Sequence, residues 1–343
     1  MATQILDLQF ACFVVGERPL CLWDTDIIGR NLTYLNSIDP GYFEYLGQLY
    51  ARTLNEQEEQ GQPASREAQH AAIALRTAYS QAIENFFALI FSAIQAPYCV
   101  PAWINAYKNN ELRVLVEKVQ EQKQIASRLE TEIPSFPIIY DYLFPKLNIG
   151  DENYEASLKD GFIHIWQHFA DDFLDESTSR EYNSIKHGLR IRPGGYQFRI
   201  GVVEKPGIQP TEENMLEIAN SNFGATYFYS QKIGDLMPHQ CLKKESRTWD
   251  VESLFLAIHI ISMSIFNVIT ALKVKNGDKS PAVFRSPNDL TDFYKWKGFT
   301  NLKGGDLIIL PEYIAPLTKN DIISIYKTEH PIKTKRINFI DEE

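Results

Sequence analysis

Apolar residues along this chain recur mostly at helical spacing. Ile83, Phe87, Ile90 and Ile94 hold one helical stripe, and Phe86 and Leu89 widen it. The pattern predicts a long helix from about Ser65 to Gln95, with Ser65 as its N-cap and Pro97 and Pro101 closing it. Phe162, Trp166, Phe169 and Phe173 repeat the pattern from about Glu155 onward. Leu254 to Leu272 carries no charge, and predicts a buried helix over about 251–273. Further helices are expected within 39–53, over about 110–130 as a charged surface helix, and within 138–147. Alternation predicts strands at 10–16 and 19–23 around a turn, then at 196–203 and 225–231, with short candidates at 306–310 and 322–326.

The expected fold class is mainly α, a helical bundle with a small appended or inserted antiparallel β-sheet. Residues 1–65 would supply N-terminal strands and a short helix packed on the core. Residues 66–273 would form the bundle with a β insertion at about 194–232. Residues 274–343 would add a mixed α/β extension.

Composition agrees with a folded chain: of 343 residues, 44% are hydrophobic and 23% charged, enough apolar surface to offset chain entropy. Cys12, Cys21, Cys99 and Cys241 show no paired spacing and read as reduced thiols of a cytoplasmic protein. The opening MATQILDLQF has no basic segment followed by an apolar run, so no secretory signal is expected. The segment 254–272 approaches membrane-spanning length, and Lys273, Lys275 and Lys279 follow it. However, His259, Ser262, Asn267 and Thr270 fall on one side of a helix, as expected of a core helix facing a polar interior, so no membrane partner is expected.

The net charge of −10 argues against a general duplex-DNA binder. Charge is nevertheless segregated. Asp151 to Glu176 is acidic, whereas Arg180, Lys186, Arg190, Arg192, Arg199 and Lys205 make the next segment basic.

Within that basic segment lies Arg180-Glu-Tyr-Asn-Ser-Ile-Lys-His187. Residues seven apart on a helix differ by about 20° in azimuth and roughly 10 Å in rise, so Arg180 and His187 share a face with Asn183 between them. An arginine fork can hold a phosphate, and a histidine can move a proton near neutral pH. Thr178 followed by Glu181 forms a capping-box pattern, so a new helix could begin there; on one continuous helix, the Phe162–Phe173 stripe would run in phase onto Arg180 and His187.

Arginine, six residues and histidine late in a helix of an α-helical bundle resemble the Rx4-6H motif of the HEPN superfamily. The resemblance covers the helical part, about 66–273, and implies a metal-independent endoribonuclease of the toxin–antitoxin or phage-defence kind, needing no cofactor. It implies Arg180 and His187 as the catalytic pair, completed by the same residues of a second protomer in a homodimer. RNA would be cut by attack of the 2′-hydroxyl on the adjacent phosphate. Asn183, Lys186 and Arg190 would bind substrate, and an antitoxin or regulatory protein would be a partner. The residue after the arginine is commonly Asn, Asp or His in that family, and here it is Glu181.

The same residues also admit a structural reading: Arg180 salt-bridged to an acidic neighbour and His187 satisfying a carbonyl at the helix end. The protein would then be a non-catalytic α-helical binding or regulatory platform. A separate group, His164 and His168 with Asp172, has the i, i+4 histidine spacing of a divalent-metal site. It lacks the glutamate of HExxH, and a surface stripe beside a solvated acidic turn explains it more simply. The aromatic run Tyr227, Phe228, Tyr229 could stack on bases or build the core of a sheet.

Overall fold

The computed structural model describes residues 10–23, 26–58, 64–145, 151–188, 190–194, 197–201, 211, 213, 215–220, 222–233, 239–295, 320 and 323–324. Strands β1 (Ala11–Val15) and β2 (Arg18–Leu22) form a hairpin that sets Cys12 directly opposite Cys21. Helices α1 (Asp26–Ser37) and α2 (Tyr42–Glu58) follow. α3 (Arg66–Gln95) begins as expected at Ser65, whose hydroxyl accepts from the Ala68 amide at 3.1 Å. At about 45 Å it is the longest element, and its second half is buried on nearly every side.

Next come α4 (Val100–Ala106), α5 (Asn109–Gln120), α6 (Phe136–Leu143) and α7 (Glu152–Leu174). α5 is shorter than the expected 110–130, because the chain leaves the helix at Glu121 and Gln122 takes a positive φ of 53°. Of its charged residues Glu117 is exposed and Glu111, Arg113 and Lys118 are part-buried, while Leu112, Leu115, Val116 and Val119 are buried. α8 (Glu176–Lys186) leads into the β region: β3 (Ile191–Pro193), β4 (Gln197–Gly201), β5 (Met215–Asn220), β6 (Gly224–Ile233) and β7 (His239–Thr248). β3, β6 and β7 form one antiparallel sheet with β6 in the middle, and β4 pairs with β5. α9 (Val251–Lys275) returns the chain to the bundle. Of the C-terminal strand candidates, 306–310 lies outside the described residues; of 322–326 only Ile323 and Ser324 are described, and they are helical, not extended.

The protein is therefore mainly α, a helical bundle carrying small antiparallel sheets. α3 packs on α2 and α9. α7 reaches the same core through Trp166, 5.4 Å from Phe86, and Phe162, 5.0 Å from Phe293 (ring centroids). Gly161 makes the second contact geometrically accessible, since a Cβ there would overlap the Phe293 ring.

α9 is long and apolar enough to cross a membrane, yet most of its apolar stretch is buried against the bundle. Its polar residues do not line a shared polar interior, contrary to expectation. Ser262 donates to the Ile258 carbonyl, and Asn267 bonds both backbone groups of Arg285. His259 is half-exposed and meets Glu44 at 3.4 Å. These three groups each have a partner where they stand, while Thr270 lines a cavity beside Asn267, so the stripe forms no common polar surface.

Candidate functional site

α7 does not continue into α8. Asp175 takes extended backbone angles (φ −61°, ψ 122°), ending one helix and capping the next. Its carboxylate accepts from the Thr178 amide at 2.9 Å and the Thr178 hydroxyl at 2.8 Å. The cap is thus Asp175 and not Thr178, and the aromatic stripe of α7 lies on a different axis from Arg180. A short polar side chain that closes the first turn outcompetes a capping box three residues later.

With the start moved, Glu181 falls on the inner face and is 1% exposed. Arg76 of α3 donates to one of its oxygens from Nε at 3.0 Å and Nη2 at 2.7 Å. The Trp249 indole donates to the other at 2.5 Å, and Arg247 of β7 stands at 3.6 Å. Burial disfavours the Arg76 cation, but Glu181 and Asp172 outweigh it and push its pKa up. The residue that departs from the family pattern therefore ties α8 to α3 and to the sheet.

A second buried carboxylate, Glu245, sits beside this pair. Burial would raise its pKa, but hydrogen bonds from Ser177 and Tyr227, with the Arg247 and Arg180 cations, hold it below its usual range. Gly224 lets β7 pass this close, because a Cβ there would collide with the Arg247 carbonyl.

Arg180 lies at the rim of the cluster, with about a third of its side chain exposed. Its guanidinium covers the Tyr229 ring at 4.6 Å and stands 3.4 Å from Glu176 and 3.8 Å from Glu245. Its buried Nε finds no acceptor among the described residues. His187 is the C-cap of α8; its amide donates to the Asn183 carbonyl at 3.3 Å and its side chain is exposed. Lys186 and Arg190 are exposed on either side of it, with the Lys186 amine 5.9 Å from the Tyr182 ring.

Asn183 lines a cavity of about 250 Å³ between α3, α5, α7 and α8, with Glu84, Arg113, Asp172 and Tyr182. Arg113 is fully engaged there: it donates to the Phe173 carbonyl, to Ser179 at 2.5 Å and to the Leu174 carbonyl at 2.7 Å. A larger cavity of about 540 Å³ opens between α6 and α9, lined mainly by apolar residues with Lys275 and Tyr142 among them. It contains none of the expected site residues.

The histidine group separates. His164 and His168 stand ring to ring at 4.5 Å with Asp171 3.9 Å from His168, and Asp172 accepts from the Tyr79 hydroxyl at 2.7 Å. Among the described residues no three His, Cys, Asp or Glu side chains gather as a metal site. Tyr79, packed between Asp172 and the core, has its pKa raised, first by burial and then by that carboxylate.

Sequence reading missed Arg76, Glu245, Arg247 and Trp249; Tyr229 was expected to stack on a base or build the sheet's core, and its ring lies under Arg180 instead. Arg76 carried a usable signal, a cation set between Leu75 and Tyr79 on the apolar side of α3. Glu245 and Arg247 sit on β7, a strand too polar to be recognised, and Trp249 follows its end. Comparison with protein-family models, with curated proteins and with solved structures finds no match to this chain.

Proposed function

We propose that the protein is a metal-independent endoribonuclease, related to the HEPN superfamily, in which Arg180 holds the scissile phosphate and His187 moves the proton. The observation that carries this reading is the contrast between Arg180 and two neighbouring arginines, Arg76 and Arg113. Arg76 and Arg113 donate at 2.5–3.0 Å to acceptors that fix them in place. Arg180 meets carboxylates only at 3.4 and 3.8 Å among the described residues, leaves Nε unpaired, and is oriented by stacking on Tyr229. A partly exposed guanidinium that is oriented but not saturated suits an incoming phosphate.

In the reaction the 2′-hydroxyl oxygen attacks phosphorus and the bond to the 5′-oxygen breaks. His187 takes the 2′-hydroxyl proton, and the leaving 5′-oxygen is protonated by a second acid, the equivalent imidazole of another copy. Lys186 and Arg190 attract the polyanion, and Asn183 steadies the phosphate. The protein would work as a cytoplasmic homodimer under the restraint of an antitoxin or regulatory protein. The test is to incubate the chain with tRNA, rRNA and mRNA in EDTA and analyse the ends. Cyclic 2′,3′-phosphate and 5′-hydroxyl termini are expected; RNA intact throughout would overturn the reading.

One observation favours a second reading. Glu176 and Glu245 already place negative charge beside Arg180, as they would if α8 were only a structural strut. The bundle would then be a binding or regulatory platform, and its partner would be a protein.

A further inference from the structure

The two faces of the β3–β6–β7 sheet differ in kind. Successive residues on a strand point to opposite faces. Ala225, Tyr227 and Tyr229 of β6, with Glu245 and Arg247 of β7, turn inward; Ala225 and Tyr227 are fully buried and Tyr229 carries Arg180. Thr226, Phe228 and Ser230 turn outward. In register, Phe228 stands directly opposite Lys244, Thr226 stands between Ser246 and Arg192, and Arg192 is therefore diagonal to Phe228.

On this outer face Phe228 is 51% exposed, an apolar ring left in water at the centre of a sheet. Arg192 and Lys244 beside it are exposed as well. Thr226 and Ser246 share a hydroxyl–hydroxyl hydrogen bond of 2.8 Å across the strands. Among the described side chains of this face, Arg192, Thr226, Phe228, Ser230, Lys244 and Ser246, there is no Asp or Glu, in a chain whose net charge is −10.

We propose that this face binds single-stranded RNA, with a base stacked on Phe228 and the flanking phosphates on Arg192 and Lys244. An exposed ring flanked by cations on an open sheet offers both halves of a nucleotide what they need. An apolar protein surface would reward the ring but leave the two cations without partners, and an acidic one would meet the cations but offer the ring nothing to stack on. Duplex RNA would meet the cations but keep its bases out of reach of the ring.

The face also leads to His187. β3 is an edge strand, and Arg192 follows His187 by five residues through a turn in which Gly188 has a φ of +64° and its carbonyl accepts from the Ile191 amide at 3.4 Å. A strand seated on Phe228 and Arg192 can pass Arg190 at the sheet edge and arrive at the end of α8. This delivery rests on the ribonuclease reading; binding to the face does not.

Fluorescence anisotropy with a labelled oligouridylate and the full chain carrying His187→Ala tests the binding without cleavage. Phe228→Ala should weaken binding roughly ten-fold, the scale of one lost base stack, while Phe228→Trp restores it. Arg192→Gln with Lys244→Gln should lower the slope of log affinity against log salt by about 1.4, from two lost phosphate contacts at roughly 0.7 each. All three side chains are exposed, and circular dichroism confirms that the variants fold. Unchanged affinity in Phe228→Ala, no binding by the His187→Ala chain, or equal competition by polyglutamate would overturn the proposal. Binding by this chain without cleavage by the wild type would sink the nuclease reading alone. Cleavage with Phe228-independent binding would sink the present one alone.

Discussion

Glu181 and Arg76 form a buried ion pair that joins α8 to α3 across 105 residues of sequence, with Arg76 Nη2 2.7 Å from Glu181 Oε2. Both partners have further contacts that satisfy the pair, Trp249 and Arg247 on the carboxylate and the Tyr79 ring beneath the guanidinium at 5.3 Å. The pair fixes how α8 lies, and so where Arg180 and His187 are presented.

Removing one member of such a pair leaves a buried charge without compensation. Glu181→Ala should therefore destabilise the protein by about 3–5 kcal/mol in urea unfolding. Arg76→Met with Glu181→Leu should cost less than the sum of the single changes, because neither charge remains. A loss below about 1 kcal/mol for Glu181→Ala would show that the pair does not hold α8 in place.

Arg180 should behave differently. Its contacts are long and a third of its side chain is exposed, so Arg180→Ala should shift stability by less than about 1 kcal/mol. A thermal melt comparing it with Glu181→Ala reads this directly. An equal loss in the two variants would place Arg180 among the structural residues and favour the platform reading.

Glu245 sets a pH dependence. Its carboxyl is held below the usual value of 4.5 in the folded protein, despite burial, by Ser177, Tyr227, Arg247 and Arg180. A depressed folded pKa stabilises above the unfolded pKa and is lost as pH falls through the folded one. The stability gap between wild type and Glu245→Gln should be full near neutrality and shrink as pH drops below 4.5, followed by urea midpoints across that range. A gap that stays constant, or widens in acid, contradicts the charged Glu245 described above.

Gly161 provides a packing test. Gly161→Ala pushes a methyl into the Phe293 ring and should cost about 1–3 kcal/mol, with Phe293→Leu in the same chain recovering part of the loss. If the single change is neutral by thermal melt, the ring is free to move and does not close the core over α7.

Much of the bundle was legible because local chemistry and burial agree there. Ser65, the Phe86–Ile94 stripe and Pro97 mark α3 without reference to anything distant, and the apolar run of 254–272 marks α9. β7 was not legible, since its inward side chains are Glu245 and Arg247, charged residues buried by mutual pairing and not by apolarity. The same cause hid the meaning of Glu181. In sequence it is a departure from a motif, and only the approach of Arg76, Arg247 and Trp249 from three other elements makes it the centre of a network. The Asp175 cap was missed for a smaller reason: Asp175 and Thr178 both suit an N-cap, and the fold chose the earlier one.

The central claim is tested most directly by RNA cleavage in EDTA, comparing the wild-type chain with Arg180→Ala and His187→Ala after all three are shown to unfold at similar urea concentrations. Cleavage by the wild type to cyclic phosphate ends, reduced at least a hundred-fold in both variants, is the predicted result, since positioned acid–base groups contribute on the order of 10²–10⁴ in rate. Cleavage that persists in either folded variant, or no cleavage by the wild type, would contradict it.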